Sequence, residues 1–326
     1  MKGDFLNRFK IAHIGNTSGV AISLAREQSK NVLKVEVFVF SQLKHKQFGG
    51  TFIGIRPISD WNGRRHLNPF FLWHQLKFAL ILREFNIWHY HSPYGRLKQR
   101  LERINKGHKY LKHYHGTDLR HRYDSDFCLV STPDLLQFAP NGVWLPNPLD
   151  LETFSRFSTN NEINYPNSVP DQVKVKRLAH YTYFKDPGHE PYYEYYREPL
   201  EYLEVKGVSK VIEIYNLPFE EAIRVHSNCD VTIGKIEPLI GWFGKFELEG
   251  MALGKPVICY VSDELYEKYR PPVFRTTKDT FKQDLEYLLE DEATRHRLAK
   301  EGQEYVRKNH DVREVVKKLE YYYQKI

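Results

Sequence analysis

Cysteine is scarce, and the little there is cannot build a framework. Cys128, Cys229 and Cys259 are the three cysteines in 326 residues, and each lies in a short apolar run that reads as a buried strand. Three thiols cannot all pair within one chain, and none has metal-ligand spacing, which excludes a disulfide-stapled secreted domain and a zinc module. The setting expected is reducing and cytoplasmic, with inert core thiols. Long apolar runs are also missing. A spanning helix needs roughly 20 apolar residues, whereas the longest candidate, Phe70 to Leu82, contains His74, Gln75 and Lys77. Met1 to Lys10 is charged and unlike a signal peptide. There is no internal repeat, no low-complexity tract, no Walker loop and no dinucleotide fingerprint. No pair of catalytic carboxylates stands out either, which weighs against a two-carboxylate hydrolase.

What remains is the composition of a water-soluble globular protein, 41% hydrophobic and 27% charged with a mean hydropathy of −0.58. The length suits two domains with a cleft between them, since single cores rarely grow beyond about 250 to 300 residues. Charge is uneven. Residues 1–150 hold 22 Lys+Arg against 11 Asp+Glu, a balance of +11, and residues 151–326 hold 26 against 30, a balance of −4. The basic half either faces something anionic, whether a phosphorylated acceptor, an acidic membrane surface or nucleic acid, or is a plain solvated surface. In it Arg96, Lys98, Arg100, Arg103 and Lys106 share a predicted helix with the apolar stripe Leu97, Leu101 and Ile104.

Short β-branched or aromatic runs alternate with amphipathic segments of helix length, the pattern of parallel sheets with crossover helices. Strands are expected at Phe9–Ile14, Lys34–Phe40, Thr51–Ile55, Ile87–His91, Tyr110–Tyr114, Phe127–Val130 and Val143–Leu145. Four more are expected at Arg177–Tyr181, Lys210–Ile214, Val231–Ile233 and Val257–Tyr260. Two doubly wound units follow. Between them Ser155–Asp171, with four asparagines and two prolines and no apolar period, reads as a linker. From Lys278 onward the tail is helical, with apolar faces suited to packing back on a sheet.

Four segments could carry chemistry. Ile14 to Val20 is a glycine-bearing strand-to-helix turn, able to offer backbone N–H groups to phosphate or to be merely a tight connection. His89 and His91 in Trp88 to Pro93, and His115-Gly116-Thr117-Asp118, follow strand ends, where open α/β sheets bind ligands. Three histidines and an aspartate near one sheet edge could hold a metal ion or bind sugar hydroxyls, and the absence of a spacing such as His-x-x-x-His weighs against zinc. His89, taken to alternate with His91 across the strand, reads equally as a buried, satisfied histidine. His180 and Lys185 sit in the segment Arg177 to Gly188, the lysine being either a cleft cation for a departing phosphate or a solvated loop residue. Gly241 to Val257 is the richest stretch: a loop enters a helix near Gly244, the helix ends at Gly254, and Pro256 leads into an apolar strand. N–H groups at that helix start suit a diphosphate. Glu249 suits a ribose diol, and Glu247, about 200° away around the helix, is expected to be solvated.

Phe243-Gly244 followed by Leu248 to Val257 resembles the donor-binding signature of glycosyltransferase family four, the retaining group 1 enzymes of GT-B fold. Ser18-Gly19, Ile87 to Pro93, His115 to Asp118, Ser131-Thr132-Pro133 and Pro146 to Asp150 match further blocks in the same order. The resemblance implies two Rossmann-like domains facing across a cleft. They would be an acceptor-side domain at 1–154, a linker at 155–171 and a nucleotide-sugar-binding domain with terminal helices at 172–326. It implies metal-independent, retaining transfer from a nucleoside-diphosphate sugar to an unidentified acceptor, for which the charge of the basic half suggests an anionic or lipid-linked molecule. No cofactor and no nucleic acid partner are expected, and the location is cytoplasmic with peripheral attachment to the membrane. His115 and Lys185 would be catalytic. Gly19, His180, Phe243, Gly244 and Glu249 would bind the donor, and His91 and Asp118 would contact sugar or acceptor. Two positions depart from the family: its diphosphate arginine falls on His180, and its first acid falls on Gly241, with Glu237 the nearby substitute. A silent nucleotide-sugar-binding protein and a nonhydrolysing sugar-nucleotide epimerase are the alternatives.

Overall fold

The computed structural model describes residues 9–40, 49–53, 69–92, 95–120, 122–158, 175–181, 190–215 and 217–326. Two compact units emerge, residues 1–148 with 312–326 and residues 149–311. This division differs from the sequence boundaries at both ends of the second domain. Residues 149–154 join the second unit, and residues 312–326 return to the first. Of the expected linker, 155–158 belong to a helix and the remainder lies outside the described residues.

The first unit runs β1 (Lys10–Ile14), α1 (Val20–Gln28), β2 (Lys34–Val39), β3 (Thr51–Phe52), α2 (Pro69–Leu82), β4 (Ile87–His91), α3 (Gly95–Ile104), β5 (Lys109–Tyr114), β6 (Cys128–Val130) and β7 (Gly142–Trp144). The second runs α4 (Leu151–Ser158), β8 (Lys176–His180), α5 (Glu190–Val205), β9 (Ser209–Glu213), α6 (Phe219–Ser227), β10 (Val231–Ile233), α7 (Lys245–Ala252), β11 (Val257–Cys259), α8 (Asp263–Tyr269), β12 (Phe274–Arg275), α9 (Phe281–Glu290) and α10 (Glu292–Asn309). The last helix, α11 (Val312–Lys325), goes back to the first unit. All eleven expected strands form. β12 is an addition, two residues too short to show a period.

Both sheets are parallel throughout, with orders β3-β2-β1-β4-β5-β6-β7 and β12-β11-β10-β8-β9. Each is doubly wound and reverses direction once, between β1 and β4 in the first and between β8 and β10 in the second. Such switch points leave a crevice at the carboxyl ends of the strands.

Residue parity sorts the first sheet. Ala12, Ile14, Trp88 and Tyr90 face a core completed by Phe78 and Leu82 of α2 and Leu101 of α3. Ile11, Ile87, Leu111 and Leu129 face the other way, onto Val20 and Leu24 of α1 and Val315, Leu319 and Tyr323 of α11. A buried side chain such as Leu319 contributes about 1.5 to 3 kcal/mol, so α11 is a structural part of the first unit. On this second face the apolar residues lie at the strand starts, and His13, His89, His91 and His113 lie above them toward the carboxyl ends, all fully buried. His89 and His91 therefore share a face, as a two-residue period requires, and do not alternate across the strand. Their rings stack with centroids 4.3 Å apart.

Candidate functional site

At the switch point of the first sheet, the loop after β1 and the loop after β4 are tied by Thr17 Oγ1 and Ser92 Oγ, 3.1 Å apart. Ser18 (φ 51°) and Ser92 (φ 58°) have left-handed backbone, as does Gly19 (φ 74°) at the amino end of α1. Non-glycine residues in that region carry strain of about 1 to 3 kcal/mol. Among the described residues only Arg270, which closes α8, is a third case. The strain is concentrated where an α/β sheet binds its ligand.

The loop after β5 is built by Asp118, whose carboxylate accepts from the backbone N–H groups of His115 (3.0 Å) and Gly116 (2.7 Å). Arg120 donates to Asp134, whose side chain is 1% exposed, at 2.7 Å. Asp118 is thus committed to shaping the loop, which leaves less of it for a sugar or acceptor than the sequence reading assigned. His115 is half-buried. Its Nδ1 lies 2.6 Å from Ser131 Oγ, and its Nε2 lies 3.0 Å from His91 Nδ1. Both ring nitrogens of His115 point into the domain, and so do both of His91, whose Nε2 meets His13 Nδ1 at 2.9 Å.

Two groups, His13 with His89 and His91, and His91 with His113 and His115, bring ligand-capable nitrogens within 4.8 Å of one another. No local spacing announces them, because three strands assemble what none contains. Burial penalises the imidazolium and lowers His13 to about 4; His89, His91 and His113 fall well below the ordinary imidazole range, the neighbouring histidines adding to the effect.

At the switch point of the second sheet lies a pocket lined by His180, Tyr181, Ile233, Gly234, Lys235, Phe246 and Glu247. His180 ends β8 and is buried, its ring 4.8 Å from that of Tyr196. Tyr196 fixes the neighbouring strand end by accepting from Ile236 N–H (2.8 Å) and donating to the Gly234 carbonyl (3.2 Å). Glu247 is not solvated as expected but 1% exposed. Its carboxylate accepts from Lys235 N–H (2.8 Å) and Gly244 N–H (2.9 Å), clamping β10 to the start of α7. The Gly244 amide is therefore already engaged and cannot also bind a diphosphate. Lys235, which the sequence reading passed over, brings its ammonium to 3.2 Å from where a Cβ on Gly244 would stand. The available signal is its place two residues past a strand end, close to the rule that picks out His91 and His115.

In the loop that enters α7, Phe243 is 2% exposed and stacks on Trp242 in the core, its ring centroid 4.5 Å away, so its side chain packs rather than meeting a donor. Gly250 allows the helix to approach β10: a Cβ there would lie 2.3 Å from Thr232 Oγ1. Glu249 stands on another side of α7 from Glu247 and outside the lining of that pocket. Its carboxylate is 3.9 Å from Lys245 Nζ, with side chains 18% and 12% exposed. Burial raises Glu249 to about 7; Lys245 opposes the rise and Glu247 reinforces it. Lys245 is lowered, chiefly by its own burial. Gly241, where the resemblance expects an acid, has φ +70°, and a Cβ there would stand 3.3 Å from Ser262 Oγ. The backbone itself selects glycine. Lys185 lies outside the described residues.

Residues 245–321 match a family model described as glycosyl transferase-like. No curated protein sequence is significantly similar. Among solved structures, a glycosyltransferase from Rickettsia africae is 14% identical with a TM-score of 0.63 over 98% of both chains. HepE of Anabaena, solved with UDP-glucose, is 12% identical with a TM-score of 0.65 over 98% of this chain and 100% of its own. Sucrose-phosphate synthase of Thermosynechococcus elongatus is 14% identical with a TM-score of 0.64 over 98% and 99%. Likeness at this level of identity speaks for architecture, and with the two sheet orders it shows that the chain has the GT-B fold, two Rossmann-like parallel-sheet domains with C-terminal helices.

Proposed function

We propose that the chain is a glycosyltransferase that takes sugar from a nucleoside-diphosphate sugar, without a metal ion and with retention. The carrying observation is the pocket at the second switch point, where Lys235, His180 and the entry to α7 meet. A fixed ammonium there would hold a bound diphosphate and favour its departure, since preorganised charge acts without reorganisation when the bond breaks. Lys235 would take over the task that the resemblance gives to the arginine missing at His180, with Lys185 as a second cation. Glu249 would accept from the nucleoside ribose. Within the first domain, Gly19 and the strained loops around it would be the candidate phosphate contacts, and His115 the candidate sugar contact as a neutral ring. The match over residues 245–321 and the fold shared with a UDP-glucose complex support the reading.

On the acceptor, the +11 of residues 1–150 favours an anionic or lipid-linked molecule. No helix among the described residues is long and apolar enough to cross a membrane. In α3 Leu101 is buried in the core, and Lys98 pairs with Glu102 at 2.9 Å, so this helix has less to offer a lipid surface than its sequence promises.

A thermal-unfolding panel of nucleoside diphosphates and their sugar conjugates tests the proposal, because a ligand at 100 times its dissociation constant adds about 2.7 kcal/mol. Stabilisation by one nucleotide series, followed by transfer or donor hydrolysis, is the expected result. Stabilisation without turnover would identify a silent binder, and no stabilisation by any conjugate would remove the transferase reading.

A further inference from the structure

Eight side chains of the first unit form a closed circuit of hydrogen bonds. From Tyr323 on α11 the path goes to His89 Nδ1 (2.7 Å), and from His89 Nε2 to His113 Nδ1 (3.2 Å). His113 Nε2 meets Ser131 Oγ (3.0 Å), which meets His115 Nδ1 (2.6 Å). His115 Nε2 meets His91 Nδ1 (3.0 Å), His91 Nε2 meets His13 Nδ1 (2.9 Å), and His13 Nε2 meets the Gln28 carbonyl oxygen (2.7 Å). The Gln28 amide nitrogen closes the circuit by donating to Tyr323 Oη at 3.5 Å. Apart from half-buried His115, every member is buried.

The hydrogens can be counted. Eight links need eight hydrogens. Five neutral imidazoles bring one each, Ser131 and Tyr323 one each, and Gln28 one of its amide hydrogens. The count closes only if all links run the same way around, because each ring nitrogen either donates or accepts. Gln28 sets the direction, since its carbonyl can only accept and so requires His13 to donate from Nε2. His91, His115, His113 and His89 must then all donate from Nε2 as well.

We propose that this circuit holds all five imidazoles neutral in one shared Nε2–H tautomer, with Gln28 and Tyr323 as positioning residues that fix His115 at the sheet edge from the far side of the domain. Its bearing on turnover rests on the transferase reading; the tautomers do not. A ninth hydrogen would set two N–H groups against each other, so the circuit excludes protons. His115 then presents a fixed neutral edge and transfers no proton, which suits a reaction whose leaving group is already anionic. A divalent ion in either histidine group would have to take lone pairs that the circuit already uses. Charged groups beside the circuit are Asp118, which accepts from the His115 backbone, and Glu320 on α11, whose charge reaches Tyr323 and is itself faced by Glu27 on α1 and Lys317 on α11.

Gln28→Glu gives a sharp test. The carboxylate accepts at both ends and donates at neither, leaving seven hydrogens for eight links, so the circuit should take up one proton. The full chain labelled with 15N-histidine would be followed by long-range 15N–1H correlation, with the five rings assigned by single replacements. In the wild type five neutral Nε2–H patterns are expected at pH 7, persisting to about pH 5.5. In Gln28→Glu one imidazolium should appear among them at pH 7. An Nδ1–H form or an imidazolium in the wild type would overturn the proposal, and so would one equivalent of zinc displacing the Nε2–H signals. Five unchanged neutral rings beside an ionised carboxylate at position 28, read from its 13C shift in folded Gln28→Glu, would do the same, whereas a protonated carboxyl there is the circuit's extra hydrogen on a different atom. The wild-type spectrum needs no variant to fold and no donor or acceptor, so its outcome stands apart from that of the transferase reading. Where transfer is measured, its pH profile should lack a histidine limb in the wild type and gain one in Gln28→Glu.

Discussion

Replacing Glu249 by glutamine should move stability and nucleotide binding in opposite directions. In the folded chain burial raises this carboxyl from 4.5 to about 7, against the partial relief of Lys245 at 3.9 Å. Because the folded state holds the proton more tightly than the unfolded chain, the contribution to stability is complete below pH 4.5. It declines as pH rises toward 7 and is flat above. The rise from 4.5 to about 7 corresponds to about 3 kcal/mol. Glu249→Gln has no such titration. It should match the wild type at about pH 4.5 and exceed it by up to about 3 kcal/mol at pH 8. Urea-unfolding midpoints of both proteins across that range measure the gap directly. Parallel curves would refute the reasoning, since they would mean that Glu249 ionises in the fold as easily as in water. In the same protein nucleotide affinity should fall by about 1 kcal/mol, because the amide oxygen still accepts from the ribose but without the carboxylate's charge. A carboxylate that only filled space would show the first effect without the second.

Lys235→Ala should weaken binding of the nucleoside diphosphate by about 1.5 to 3 kcal/mol while leaving the fold intact, by titration calorimetry; equal affinities would remove Lys235 from the site. EDTA should leave transfer unchanged, and activity lost to the chelator and restored by a divalent ion would end the metal-independent reading. Gly241→Glu, which restores the acid of the family signature, should destabilise by about 1 to 3 kcal/mol because the position has φ +70°; unchanged stability would show that the loop relaxes freely. Flotation with acidic and neutral liposomes at low and high salt checks the basic half, with salt-sensitive binding to acidic vesicles expected; no binding even at low salt would favour a soluble anionic acceptor or a plain solvated surface.

The fold was legible because its signals are local. Each β-branched run became a strand, and the two-residue β12 escaped because so short an element has no period. The site was only half legible. Single positions such as His180 and Glu249 could be marked from their place after a strand or on a helix. The partners that decide their chemistry come from distant segments: Glu247 closes on Lys235 and Gly244, and His115 is gripped by His91 and Ser131. Glu247 reads as solvated when only its angle from Glu249 is known, and the clamp appears once β10 is laid beside α7. Gly241 reads in the sequence as a missing acid, whereas its left-handed backbone is set by the fold around it and leaves no mark on the sequence.

The return of α11 to the first sheet has a consequence for biosynthesis. Residues 149–311 are contiguous and can complete their own core as soon as they leave the ribosome. The first unit cannot, although most of it is made earlier, because Val315, Leu319 and Tyr323 supply one face of its core. Tyr323 comes 175 positions after Pro148, roughly 9 to 35 seconds of synthesis at about 5 to 20 residues per second. During that interval Ile11, Ile87, Leu111 and Leu129 lack their helical cover, so the domain made first is the one finished last, and a nascent chain stalled before residue 312 should be held by chaperones through its amino-terminal half.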